Sequence, residues 1–288
     1  MAGLCVVLGA PTGSAAAGRY DDYVSLGDSY TASAGFAANG LPTTQFVPAG
    51  CAQSTSDYPH QVANLLHVAH FTDASCAGAT TKDFTATQDT SAGDNAPQFN
   101  RLTKKTDLVT MGIGGNDVGL VSLAESCIVD SLQNTSCRAA NTVAGKDQVA
   151  EKIRATRAVI VNAIAGVRAR APHARIAVVN YLDAVPNDGR ACYPYFPMTQ
   201  ENVSWFTQKF KDMNTMLASA ANAEHATLVD TYAPTIGHDV CQSPTVRYVE
   251  SSGGPSLNPV GSIAAPLHPN QAGANAQSAI VFARLTRS

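Results

Sequence analysis

The sequence predicts a single α/β domain: a mostly parallel sheet covered by helices on both faces, an α/β/α sandwich of three layers. Three observations carry this. Short apolar, β-branched runs recur along the chain, as in strands buried on both faces. Long amphipathic segments separate the later runs, the alternation that builds parallel sheets. The 288 residues would suit one large or two ordinary domains, and no repeat or linker divides them.

The first strand is placed at residues 23–26 (YVSL), which run into Gly27-Asp28-Ser29. A second, 68–71, precedes Ser75-Cys76-Ala77-Gly78-Ala79-Thr80. The third, 107–113 (DLVTMGI), runs into Gly114-Gly115-Asn116-Asp117. A long helix follows over 147–171, with Val149, Ile153, Ile160, Ile164 and Val167 along one stripe and Pro172 as its stop. Residues 175–182 (RIAVVNYL) form the next strand. The helix over 200–224 carries Phe206, Phe210, Met213 and Leu217 at spacings of 4, 3 and 4. A strand at 226–229 (ATLV) and a helix over 271–285 complete the pattern. Segments 36–58, 84–100, 118–146, 183–199 and 231–267 read as loops, and long loops in a compact domain often build a binding site.

Composition narrows the function classes. Apolar residues make up 45% and charged residues 14%, enough for a core and too few charges for a disordered or coiled-coil chain. The net charge of -3 argues against nucleic acid as a partner. No apolar stretch reaches membrane-spanning length, so no integral membrane segment is expected.

Residues 1–17 carry no charge and end in Ala15-Ala16-Ala17 before Gly18, the small-residue pattern of a secretory cleavage site. The basic start of such a leader is missing, so it reads as truncated. A leader over 1–17 and a domain over 18–288 are therefore expected, in a secreted protein. Apart from Cys5 there are six cysteines: Cys51, Cys76, Cys127, Cys137, Cys192 and Cys241. An even number in an exported chain points to three disulfides. Of the 15 pairings six cysteines allow, sequential pairing is the simplest: 51–76, 127–137 and 192–241.

In an open parallel sheet, ligands bind beyond the carboxyl ends of the strands. Polar motifs stand at such ends: Ser29 in Gly27-Asp28-Ser29-Tyr30 and Asn116 in Gly114-Gly115-Asn116-Asp117. Gly78 follows the second strand, and His268 stands in Leu267-His268-Pro269-Asn270 before the last helix. Each motif alone also fits an ordinary turn or helix cap. Together they hold the parts that ester cleavage requires. A serine hydroxyl needs an adjacent base, which His268 supplies for Ser29. The oxyanion of the tetrahedral intermediate needs donors, which the Ser29 and Gly78 amides and the Asn116 side chain supply.

This ordered set resembles the SGNH (GDSL-type) hydrolase superfamily. Its four signature residues fall on Ser29 within GDSY, Gly78 within CAGAT, Asn116 within GIGGND and His268 within APLHPN. The six-cysteine pattern and Gly237-His238-Asp239-Val240-Cys241 are similar to the secreted actinobacterial lipase/esterase branch. The resemblance implies a flavodoxin-like sheet and a secreted, cofactor-free carboxylic-ester hydrolase acting on a small-molecule or lipid ester. A monomer is expected.

Many members of that superfamily carry aspartate three residues before the histidine, where this chain has Ala265. A backbone carbonyl can orient imidazole Nδ1–H instead, and Ala265 is the first choice, with Pro266 the second. A distant Asp183 or Asp239 is the alternative. His238 is assigned a structural role.

The rival motifs fail. The 112–117 segment ends in Asp where a dinucleotide fingerprint needs Gly, and no serine has the flanking glycines of G-x-S-x-G. His67 and His70 lack the H-E-x-x-H context of a zinc hydrolase, so no metal is expected. The remaining alternatives are a phospholipase A-type enzyme, a glycan acetyl-esterase, and a non-catalytic binding module on the same fold. Tyr193, Tyr195, Phe196 and Trp205 are candidates for an apolar wall, with ordinary packing around Cys192 as the competing reading.

Overall fold

Five parallel strands form the central sheet: β1 (Asp22–Gly27), β2 (His70–Asp73), β3 (Leu108–Gly112), β4 (Arg175–Val179) and β5 (Thr227–Val229). They lie in the order β5-β4-β3-β1-β2. The structure, a computed structural model, describes residues 20–37, 50–90, 92–252 and 262–287. The leader over 1–17, and Cys5 within it, lie outside the described residues.

The helices are α1 (Tyr58–Leu66), α2 (Gly115–Val118), α3 (Leu120–Leu132), α4 (Cys137–Ala140), α5 (Gln148–Arg170), α6 (Gln200–Ala223) and α7 (Gln271–Thr286). Strand side chains alternate between two buried faces. Tyr23, Leu108, Ala177, Val179 and Val229 meet Tyr58 and Val62 of α1 and Val281 and Leu285 of α7. Val24, Leu26, Val109, Met111, Ile176 and Val178 face the other way, toward the apolar stripes of α5 and α6. The result is the expected three-layer sandwich. Polar side chains start the long helices: Asp147 accepts from the Ala150 amide at 2.9 Å and Asn270 from the Gly273 amide at 3.0 Å.

This strand order is flavodoxin-like, with its switch point between β1 and β3. The chain leaves β1 toward β2 on one side and then crosses to β3 on the other. A crevice is therefore expected beyond the carboxyl ends of β1 and β3, where Ser29 and Asn116 follow.

Several elements differ from the sequence expectation. Strand β2 begins at His70 rather than at 68, because His67 takes a left-handed backbone (φ 53°) as the cap of α1 and Val68 completes that turn. The segment read as loop 118–146 holds α3, α4 and a short hairpin. Helix α3 starts at Gly119 with no side-chain cap, which hid its beginning. The stretches read as loops 36–58 and 231–267 supply Gly35–Ala37 and Ser262–Ala264, which pair antiparallel outside the main sheet. Helix α1 went unread as well, although Asp57 and Pro59 mark its start.

The cysteines pair sequentially, as expected: Cys51–Cys76, Cys127–Cys137 and Cys192–Cys241. Among the described residues, no helix is long and apolar enough to cross a membrane.

Candidate active site

The ends of β1 and β3 approach closely. A Cβ on Gly27 would sit 2.3 Å from Thr31 Oγ1 and 2.7 Å from the Gly112 carbonyl, so only glycine fits there. The Asp28 amide donates to that same carbonyl at 3.0 Å, and the chain then turns sharply through 28–33. This turn presents Ser29 at the sheet's carboxyl edge.

His268 arrives from 239 residues further along the chain and places Nε2 2.7 Å from Ser29 Oγ. Both residues are buried. The other ring nitrogen, Nδ1, donates to the Pro266 carbonyl at 2.8 Å. This carbonyl accepts only, so it fixes the proton on Nδ1 and leaves Nε2 to accept from the serine. Burial holds the His268 pKa below its ordinary value, while the Pro266 carbonyl works the other way. The ring is thus neutral near pH 7.

The first choice for the orienting group, the Ala265 carbonyl, is corrected by this geometry. It accepts the His268 backbone N–H at 3.0 Å, closing a turn, and so is engaged elsewhere. Leu267, at φ 64°, tightens that turn and brings the Pro266 carbonyl round to the ring. Asp183 and Asp239 serve other partners. Asp183 accepts from the Gly237 amide at 3.2 Å, and Asp239 from the Cys241 amide at 2.8 Å. His238 stacks on Tyr248 with centroids 3.8 Å apart, the structural role expected of it.

The histidine segment is held from behind. The Leu267 amide donates to the Glu250 carbonyl at 2.8 Å, and the Glu250 amide donates to the His268 carbonyl at 3.0 Å. Beneath them, Arg247 donates to Glu250 at 2.9 Å in an ion pair whose side chains are 0% and 3% exposed. Removing either partner of such a buried pair would leave a charge uncompensated beneath this segment.

The loops bearing Gly78 and Asn116 are tied to the same edge. The Cys76 amide donates to the Gly27 carbonyl at 3.1 Å, and the Asn116 side-chain amide donates to the Ala79 carbonyl at 2.9 Å. That bond uses one of two Asn116 Nδ2 hydrogens and leaves the second. Gly78 has φ 77°, a left-handed backbone that favours glycine. Asp117 accepts from the Thr81 amide at 3.1 Å and from the Thr81 hydroxyl at 2.5 Å, locking the two loops together.

Sequence reasoning missed Tyr181. Its hydroxyl accepts from the Gly115 amide at 2.7 Å and donates to Asp28. It so joins the residue before Asn116 to the residue before Ser29. Burial pushes the Asp28 carboxyl up to about 7, against the Tyr181 and backbone hydrogen bonds that lower it. Only a polar residue at the end of an apolar strand run hinted at this role. Of the proposed aromatic wall, Phe196 and Trp205 belong to the core, Phe196 packing on Phe206. Tyr193 is 78% exposed, and Tyr195 lies 6.0 Å from the Arg247 guanidinium.

Comparison with known proteins shows the family and the fold. The model of the GDSL-like Lipase/Acylhydrolase family matches residues 25–276. Lipase 2 of Streptomyces coelicolor is 34% identical over 260 residues, 88% of this chain and 81% of that protein. The structure of phospholipase A1 from Streptomyces albidoflavus shares the fold at TM-score 0.72 and 23% identity, over 92% of this chain and 99% of the other. The extracellular lipase of Streptomyces rimosus does so at TM-score 0.62 and 24% identity, over 92% and 98%.

Proposed function

The chain belongs to the GDSL-like lipase/acylhydrolase family, and from that premise we propose a secreted carboxylic-ester hydrolase in which Ser29 and His268 work as a dyad on acyl esters of lipids. The observation that carries this reading is the 2.7 Å contact between Ser29 Oγ and His268 Nε2.

In the proposed cycle His268 Nε2 takes the Ser29 proton as Oγ attacks the ester carbonyl carbon. The carbonyl oxygen becomes an oxyanion, received by the Ser29 and Gly78 amides and the free Asn116 N–H. Imidazolium returns its proton to the leaving alkoxide, and an acyl-enzyme remains on Ser29. Water then enters, gives its proton to Nε2 and attacks the acyl carbon. Collapse releases the carboxylic acid and returns the proton to Ser29. The Pro266 carbonyl keeps the ring oriented throughout. Ser29, Gly78, Asn116, Pro266 and His268 all come from one chain, so a monomer would carry a complete site.

Secretion and a lipid ester substrate belong to the same proposal. Three disulfides and the apolar stretch before Gly18 support export, with 18–288 as the mature domain. The lipase and phospholipase names of the relatives support an acyl lipid. Turnover of p-nitrophenyl esters of rising chain length is the test. Hydrolysis of medium and long acyl esters is expected; activity confined to the acetyl ester would indicate a deacetylase instead.

Two further results are expected from the same assay. Asp183→Asn and Asp239→Asn each retain activity within about tenfold, because neither carboxylate touches the imidazole, whereas loss of a triad aspartate costs about 10⁴ in kcat. A folded variant that falls near 10⁴-fold would place a carboxylate in the dyad's third position. The pH profile gives the second. The base must be neutral, and burial lowers the His268 pKa, so the acid limb of activity should be centred below the ordinary imidazole value of 6.5. An acid limb centred above 6.5 that persists in Asp28→Asn would contradict a buried imidazole base.

A further inference from the structure

Away from the dyad, at the edge of the sheet, two buried carboxylates converge on one imidazole. We propose that Asp57, His60 and Asp73 form a binding site for a divalent transition-metal cation. The inference does not depend on the hydrolase reading.

Asp57 caps α1, and Asp73 ends β2, so the two acids come from adjacent elements. Each has one oxygen in a local turn. Asp57 Oδ1 accepts from the His60 amide at 3.0 Å, and Asp73 Oδ1 accepts from the Ser75 amide at 2.9 Å. The second oxygen of each, Asp57 Oδ2 and Asp73 Oδ2, is buried with no hydrogen-bond partner. Local structure therefore explains one oxygen of each carboxylate, and the two carboxyls otherwise face each other beside the His60 ring. An unpaired buried acceptor is costly, and a pair of carboxylates is costlier still. Their side chains are only 0% and 2% exposed, and among the described residues no lysine or arginine pairs with either.

The imidazole completes the set. His60 Nδ1 lies 2.7 Å from Asp57 Oδ1 and 3.8 Å from Asp73 Oδ2, and one ligand atom from each residue falls within 4.8 Å of the others. Ligands about 2.0–2.2 Å from a common ion sit about 3–4 Å from one another, so small adjustments suffice. The ring is steadied edge-on by Phe71, with centroids 5.0 Å apart. The His60 side chain is 29% exposed, so an ion has an entrance and room for water ligands. Two hard oxygens with one imidazole nitrogen favour zinc or manganese over calcium, which prefers oxygen alone.

Such an ion would pin α1 to β2. It would also steady the stretch after Asp73, where Gln53 donates to the Ser75 carbonyl at 2.9 Å and the chain continues to Gly78. Its role is structural, and none of its ligands touches Ser29 or His268.

The test uses the full chain, stripped with chelator and titrated with zinc chloride, manganese chloride and calcium chloride. Calorimetry should find one zinc or manganese ion per chain, bound at least tenfold more tightly than calcium, and saturation should raise the thermal midpoint. Asp73→Asn and His60→Ala should each weaken that binding tenfold or more and abolish the thermal shift. His60→Ala removes a partly exposed ring, so it tests the site even if Asp73→Asn folds poorly. Absence of a stoichiometric ion in the unaltered chain, or equal binding in His60→Ala, would overturn the proposal and leave the two carboxyls sharing a proton.

Discussion

Ser29→Ala is expected to lower kcat for ester hydrolysis by about 10⁶-fold without unfolding the protein, and His268→Ala to do nearly the same. The turn that carries Ser29 is built by backbone bonds and by Gly27, not by the serine hydroxyl, so alanine fits the same place. What disappears is the hydroxyl in contact with Nε2, the proposed nucleophile. Nucleophile and base act as a unit, so the double variant should be scarcely slower than either single one. Additive losses would mean that Ser29 and His268 act in separate steps. Far-ultraviolet circular dichroism separates lost chemistry from lost fold.

The second large effect is at Asn116. Replacement by alanine is expected to cut kcat by about 10²–10³ and to leave KM nearly unchanged, the usual cost of one oxyanion donor. The Asn116 side chain has one hydrogen committed to the Ala79 carbonyl, which aims the other. In the proposed oxyanion hole this donor would meet charge only in the transition state, hence the selective effect expected on kcat. A change in KM alone would make Asn116 a substrate-binding residue.

Much of this was legible in the sequence because the responsible residues sit in short, chemically distinctive segments. Ser29, Gly78, Asn116 and His268 each follow or precede a recognisable element, and their order along the chain is what proposes them as a site. The long helices were readable from their apolar stripes; that Asp147 and Asn270 cap them emerges only from the structure. The residues that went unread act through contacts made only on folding. Tyr181 gains its role by reaching both Asp28 and Gly115, which are far apart in the chain. Ala265 and Pro266 differ in the direction of their carbonyls, set by the left-handed turn at Leu267, which composition does not announce. Phe196 and Trp205 looked like a substrate wall because they are aromatic, yet the same property suits the core that holds them.

Activation of Ser29 is read directly by covalent labelling. The chain is incubated with a fluorophosphonate, digested and mapped by mass spectrometry. One adduct per chain is expected, on Ser29, and His268→Ala should lose it while remaining folded. An unlabelled chain, or label on a different residue, would contradict a Ser29–His268 dyad.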